Sequence, residues 1–275
     1  MEIDILPKTE RAQTHMVFIV VPRFNIMTLI TMIETLRIAN YLAPASIYSW
    51  EVASFDGSKI IASNGMTATI KTANDNLQSA EFVFILGSWG TEHYHNKKLT
   101  AWLRKRVRAG ERICGVELGS YIVARAGLLD GKLATIHWSW LNGFKENFNR
   151  VEVEESLFTL DRKVMTCSGG LAGVDLMLRL IEEINGSSFS GEIADQMLHH
   201  PIRSATSPQR GTMGRSTETM RPLLREAMTL IENNIEEPLT VPQIANLLGV
   251  SQRQLERQFK KNVGCTVCLL YTSPS

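Results

Sequence analysis

Residues 16–21 read Met-Val-Phe-Ile-Val-Val, a run with no polar position on either face. Successive side chains of a strand point to opposite faces, so such a strand has to be covered on both sides. That is the situation of a central parallel strand, not of a half-solvated antiparallel one. Residues 81–87 (Glu-Phe-Val-Phe-Ile-Leu-Gly) repeat the pattern and end in glycine, and Trp50–Phe55 and Ile113–Val116 are further strand candidates. Between them, Thr28–Tyr41 carries Leu29, Met32, Ile33, Leu36 and Ile38 at helical spacing, and Leu99–Ala109 is a basic amphipathic helix. Ser156–Leu160 and Lys163–Cys167 flank Asp161-Arg162 as a hairpin, and Gly169–Asn185 is a long helix ended by Gly186. The alternation predicts an α/β fold: a parallel sheet sandwiched between helices, with right-handed crossovers.

A chain of 275 residues with 44% hydrophobic content is comfortable for two domains. Residues 200–218 are rich in Pro, Ser, Thr, Gly and Arg and lack an apolar period, the composition of a linker. The expected organisation is an α/β domain over 1–200, a linker over 201–218, an all-α segment over 219–267 and an anomalous tail over 268–275. That tail has no helical period and contains Pro274, as expected of a truncated frame or a foreign end. The N-terminus lacks the basic-then-apolar layout of a secretory signal, and no apolar run approaches the ~20 residues that span a bilayer. Four cysteines do not make a disulfide framework in a chain this long. A cytoplasmic protein with no membrane partner is the expectation.

The net charge of +1 gives the whole chain no nucleic-acid signature, but the distribution is uneven. Arg253, Arg257, Lys260 and Lys261 cluster in a stretch whose spacing is that of a DNA-reading helix-turn-helix. Ile244, Ala245 and Leu248 form the inner stripe of a first short helix, and small Ala245 allows close approach of a second. Gly249 supplies the positive φ that leaves the first helix tightly. Ser251 can cap the second, whose Leu255 and Phe259 pack inward at i, i+4 spacing. Ser251, Gln252, Arg253, Gln254 and Arg257 then remain for phosphates and base edges of double-stranded DNA. An ordinary helical hairpin with a solvated polar face is the bland alternative.

In the α/β domain the informative stretch is Ile113-Cys-Gly-Val-Glu-Leu-Gly-Ser-Tyr121. An apolar strand runs into a tight turn and then a helix from about Leu118, with Glu117 on the turn at the C-terminal edge of the sheet. Open α/β sheets build their ligand crevice there, and a strand-turn-helix with one residue at its tip is the geometry of a nucleophile elbow.

The run from Cys114 to Trp138, the run Thr166-Cys-Ser-Gly-Gly-Leu-Ala-Gly-Val-Asp, and Glu34-Thr-Leu-Arg-Ile-Ala-Asn40 together resemble the ThiJ/PfpI-like domain, a class I glutamine amidotransferase-like, flavodoxin-like fold. The resemblance is to that domain as fused to AraC-family helix-turn-helix regulators, and it covers about residues 16–266. It implies a transcriptional regulator that pairs as a homodimer and answers to a small-molecule effector. The enzymes of the superfamily hold a cysteine at the elbow tip, where this chain has Glu117. Cys114 lies three residues upstream, inside the strand, as a buried thiol. His137 matches the family's histidine but has no thiol to activate, so no hydrolase chemistry and no catalytic residue is expected. Regulators with an acidic elbow resemble those of betaine and carnitine catabolism, which implies a quaternary or alkylated amine as effector. Glu117, His137, Trp138, Phe24 and Trp89 are the ligand-site candidates, with Met27 and Trp140 as further wall residues. A carboxylate beside aromatic faces suits such a cation; the alternative for Glu117 is capping the following helix.

Other signals point away from metals and cofactors. His93, His95, His199 and His200 lack accompanying carboxylate or cysteine ligands in a recognisable pattern, with His199 and His200 expected to be exposed. Cys265-Thr-Val-Cys268 is a lone pair where zinc needs four ligands. Gly87-Ser-Trp-Gly90 follows a buried strand and can shape the crevice, but it is no phosphate loop. Two rival readings remain: a vestigial amidase, protease or glyoxalase-like enzyme, and a ligand-binding protein that does not touch DNA.

Overall fold

The computed structural model describes residues 13–73, 77–210, 222–234 and 239–262. The chain divides into two compact units between Gln209 and Arg210.

The first unit runs β1 (Thr14–Val20), α1 (Ile26–Leu42), β2 (Tyr48–Ser54), β3 (Lys59–Ile61), β4 (Thr67–Thr69), β5 (Lys71–Thr72) and β6 (Phe82–Gly87). It continues through α2 (Lys97–Arg108), β7 (Arg112–Glu117), α3 (Gly119–Arg125), β8 (Leu133–Ala134), α4 (Leu141–Asn147) and β9 (Glu152–Val153). The hairpin of β10 (Phe158–Thr159) and β11 (Val164–Cys167) leads to α5 (Ala172–Asn185) and α6 (Ser187–Gln196). The main sheet has the order β10-β11-β7-β6-β1-β2-β5. Its pairings are parallel except β10 with β11, the hairpin read from sequence.

The apolar runs explain the layering. Met16, Phe18 and Val20 of β1 face one core with Leu29, Met32 and Leu36 of α1 and Leu176, Leu180 and Ile193 of α5 and α6. Val17 and Ile19 face the other, with Leu99 and Leu103 of α2 and Ile122 and Val123 of α3. The apolar run of β1 from Met16 has no polar position because each side of it is covered.

The second unit consists of α7 (Pro222–Asn233), α8 (Val241–Leu247) and α9 (Gln252–Asn262) around its own core of Leu224, Ala227, Ile231, Val241, Ile244, Ala245, Leu255 and Phe259. The start of α8 is fixed by Gln243, whose side chain accepts from the Thr240 N–H at 2.8 Å. Gly249 takes φ 65°, and the Ser251 hydroxyl accepts from the Gln254 N–H at 3.2 Å, as the sequence predicts.

Several expectations shift. Residues 201–209, read as linker, pack on the α/β unit, because Asp175 and the edge of β10 offer them buried partners. His199 is not exposed: its Nε2 lies 2.9 Å from Oδ1 of the fully buried Asp175. The expected tail over 268–275 and the Cys265–Cys268 pair lie outside the described residues.

Gly119 opens α3 so close to β6 that a Cβ there would stand 1.8 Å from the Ile85 carbonyl oxygen. Gly191, within α6, has nothing within 4 Å of such an atom. Gly119→Ala is therefore expected to destabilise the α/β unit by about 3 kcal/mol or more, while Gly191→Ala stabilises it by about 0.5 kcal/mol. Urea midpoints of both variants test this; equal effects would refute the close approach.

Candidate functional site

The sharp exit of β7 places one side chain at the centre of the crevice. Glu117 has φ 55°, a left-handed conformation that a non-glycine residue holds only when its surroundings enforce it. Gly115 and Gly119 provide those surroundings: a Cβ on Gly115 would meet the Ser120 Cα at 2.7 Å. The Leu118 N–H donates to the Gly87 carbonyl at 3.2 Å, tying the turn to the end of β6. Glu117 does not cap α3, whose N-cap residue is Leu118 and receives no side-chain bond.

Glu117 is only 7% exposed. Its Oε1 accepts from the Ser88 hydroxyl at 2.9 Å, while Oε2 has no hydrogen-bond partner among the described residues. Gly169 and Gly170, both at positive φ, bring the β11–α5 turn over the side chain, where a Cβ on Gly169 would meet the Glu117 Cβ at 2.7 Å. Burial pushes the Glu117 pKa up from 4.5 to about 7, against a smaller lowering by the Ser88 hydrogen bond and by the nearby Asn25 amide, which does not reach hydrogen-bond geometry. Asn25 also caps α1, its side-chain oxygen accepting from the Met27 N–H at 3.1 Å.

A cavity of about 320 Å³ opens beside this group, lined among others by Met27, Glu117, His137, Trp138, Arg203 and Gln209. Three of the five ligand-site candidates are therefore brought together. Phe24 is fully buried in the core behind α1 and is not part of the lining. Trp89 is 60% exposed and also outside it; the neighbouring Ser88 is the loop residue that meets Glu117. Trp140 packs on the second core. His137 is half-buried, which pushes its pKa down, and its Nδ1 lies 2.8 Å from the Ser139 hydroxyl.

Sequence reasoning missed Asn25, Arg203 and Gln209, and of the loop 87–90, which it placed at the crevice, it singled out Trp89 and not Ser88. The glycine-bounded loop after β6 was a signal for Ser88; Arg203 and Gln209 sit in a stretch whose composition reads as linker. Neither described thiol is at the tip. Cys114 and Cys167 are buried in the sheet, and burial raises both pKa values, that of Cys167 to about 12. No metal-ligating cluster occurs among the described residues.

In the second unit, Ser251, Gln252, Arg253, Gln254 and Arg257 are all exposed along α9 and its cap. Gln252 donates to Glu256 at 3.0 Å.

Residues 16–183 match the DJ-1/PfpI family. The chain belongs to that family. It is also 34% identical to the HTH-type transcriptional regulator GbdR of Pseudomonas aeruginosa over 266 residues, covering 97% of this chain and 72% of that one. With the regulator CdhR of the same organism it shares 33% identity over 254 residues, 92% of this chain and 75% of that one. A crystal structure of an AraC family transcriptional regulator from Pseudomonas putida superposes with a TM-score of 0.62 at 21% identity, over 66% of this chain and 98% of that one. A more distant similarity, 23% over 143 residues, links 52% of the chain to 62% of the isonitrile hydratase of Pseudomonas putida. The chain is thus a DNA-binding transcriptional regulator whose α/β unit is a DJ-1/PfpI domain.

Because the folded pKa of Glu117 stands above the unfolded one, its contribution to stability is present below pH 4.5 and is lost as pH rises through about 7. Glu117→Gln removes that loss. The variant is expected to gain on wild type by up to about 3 kcal/mol between pH 4.5 and 8. Urea unfolding at both pH values reads this directly; parallel pH profiles would show that the carboxyl titrates normally.

Proposed function

We propose that the cavity beside Glu117 is the effector site of the regulator and that its ligand is a quaternary or alkylated amine. The observation that carries this is the orphaned Oε2 of Glu117, a nine-tenths-buried residue lining a cavity whose other walls include Met27 and Trp138. A buried carboxyl with an unused acceptor gains from a cation or donor, and an indole face adds attraction for alkylated ammonium. An amine without N–H groups leaves the Ser88 bond in place and supplies charge alone. His137, neutral through its lowered pKa, does not compete as a cation, and the Arg203 guanidinium that also lines the cavity is paired with Asp175.

The domain is proposed to sense and not to catalyse. A carboxylate cannot replace a thiolate in the cysteine mechanism, and the buried thiols of Cys114 and Cys167 are not at the tip. On α9, Arg253, Gln254 and Arg257 are proposed to meet base edges and phosphates, with Ser251 and Gln252 at the phosphate end of the helix. A homodimer would double these contacts on a two-half-site operator. No described helix is long and apolar enough to cross a membrane, and a cytoplasmic location is part of the same reading.

Choline is expected to raise the melting temperature of the full chain. Its uncharged isostere 3,3-dimethyl-1-butanol should not, and Glu117→Gln should abolish the choline shift. Ionisation of Glu117 must accompany binding, so choline affinity should fall about tenfold per pH unit below pH 7 and level off above it. Equal shifts from both compounds, or an unaffected variant, would refute the amine reading. For DNA, Arg253→Ala combined with Arg257→Ala should weaken binding to the gene's own upstream region by about tenfold or more, and flatten the salt dependence by about two phosphate contacts. An unchanged footprint would overturn that assignment.

A further inference from the structure

Residues 201–209 form a strap that is fastened to the α/β unit at three points. Asp175, fully buried on α5, accepts from the Arg203 backbone N–H at 2.9 Å, from its Nε at 3.0 Å and from its Nη2 at 2.6 Å, with His199 Nε2 at 2.9 Å. The Ala205 carbonyl accepts from the Leu157 N–H at 2.9 Å, beside the edge strand β10. Gln209 closes the strap. Its Nε2 donates to the Ile136 carbonyl at 2.8 Å, the Ser156 carbonyl at 2.9 Å and the Thr135 hydroxyl at 3.1 Å. Its Oε1 accepts from the Trp138 N–H at 2.7 Å. The next residue, Arg210, is the first of the second unit.

Two of these fasteners, Arg203 and Gln209, also line the Glu117 cavity, and Trp138, which holds Gln209 by its backbone, lines it as well. Nη1 of Arg203 makes none of the bonds to Asp175. The cavity thus has one wall on the elbow, fixed by the sheet, and another on the segment that leads directly into the DNA-binding unit.

We propose that the strap is the sensing wall of the effector site: Gln209 is the positioning residue that holds the Trp138 wall against the ligand, Arg203 stays paired with Asp175, and seating of 201–209 is the state that occupancy controls. This rests on the reading of the cavity as the effector site. A ligand held between Glu117 and the strap makes its full set of contacts only when the strap is seated. At saturation it raises the ratio of seated to unseated strap by the factor by which it binds the seated state more tightly. No new contact between the units is required, because the strap and Arg210 are consecutive in the chain.

Hydrogen exchange of the full chain tests this in two arms. Without ligand, Gln209→Ala should speed exchange by at least tenfold in 135–138, 156–158 and 201–209, while 116–120 at the elbow stays unchanged. Gln209→Glu keeps the acceptor for Trp138 but loses the donors. It should speed exchange in 156–158 and leave Trp138 protected, and it serves if Gln209→Ala does not fold. With choline at a saturating concentration for each protein, at pH 8, wild type should show slowed exchange at both the elbow and the strap, and Gln209→Ala at the elbow alone. Protection of the elbow without the strap in wild type would overturn the strap proposal and leave the effector reading standing. Protection of neither would sink the amine reading; the strap proposal would then fall if ligand-free exchange in 135–138 and 156–158 were unchanged by both variants.

Discussion

A side chain at position 119 would stand 1.8 Å from the Ile85 carbonyl oxygen, so α3 can begin where it does only because that residue is glycine. The resulting close approach of helix to sheet compresses the exit from β7 into one residue. Glu117 has to absorb the whole reversal at φ 55°. Everything at the crevice follows from that restriction: the carboxyl is turned inward, Ser88 comes within bonding reach, and the paired glycines of the next strand's turn close over it. The left-handed backbone is costly, on the order of 1–3 kcal/mol for such a residue, and the packed sheet on both sides sustains it.

The chemistry of such an elbow depends on the residue at its tip. With a thiol at the tip it presents a nucleophile; with a carboxyl it presents a proton-sensitive charge in a dry setting. Burial raises the pKa of Glu117 to about 7, so an ion pair there competes with the proton itself. On the proposed reading, selectivity for a permanent cation would come from that competition, because only a ligand that brings charge can displace the proton profitably. A neutral molecule of the same shape gains the apolar wall and nothing else.

Much of this was legible in the sequence, and for physical reasons. Strands β1 and β6 announced themselves because a strand buried on both faces has no polar position to blur the pattern. Glu117 was legible because strand, turn and helix followed each other without slack. The helix-turn-helix was legible because Gly249, Ser251, Leu255 and Phe259 each satisfy a separate local requirement. The misplacements share a cause. Phe24 and Trp89 lie next to the crevice in sequence, but side-chain direction at a turn is decided by tertiary packing. Asp175 and Arg203 are 28 residues apart, on a mostly apolar helix and in a linker-like stretch, and nothing local ties them together. Gln209 makes four hydrogen bonds to atoms of four residues, three of them on main-chain groups that carry no side-chain signature.

The Ala205 carbonyl has a second consequence. It occupies the outward N–H of Leu157, next to a two-residue strand at the very end of the sheet. Left bare, such an edge is a template onto which another chain can pair and begin to aggregate. The strap is therefore also an edge guard, and a regulator that detached it widely at each change of state would expose a sticky border each time. Reseating of the strap after each excursion would cover that border again.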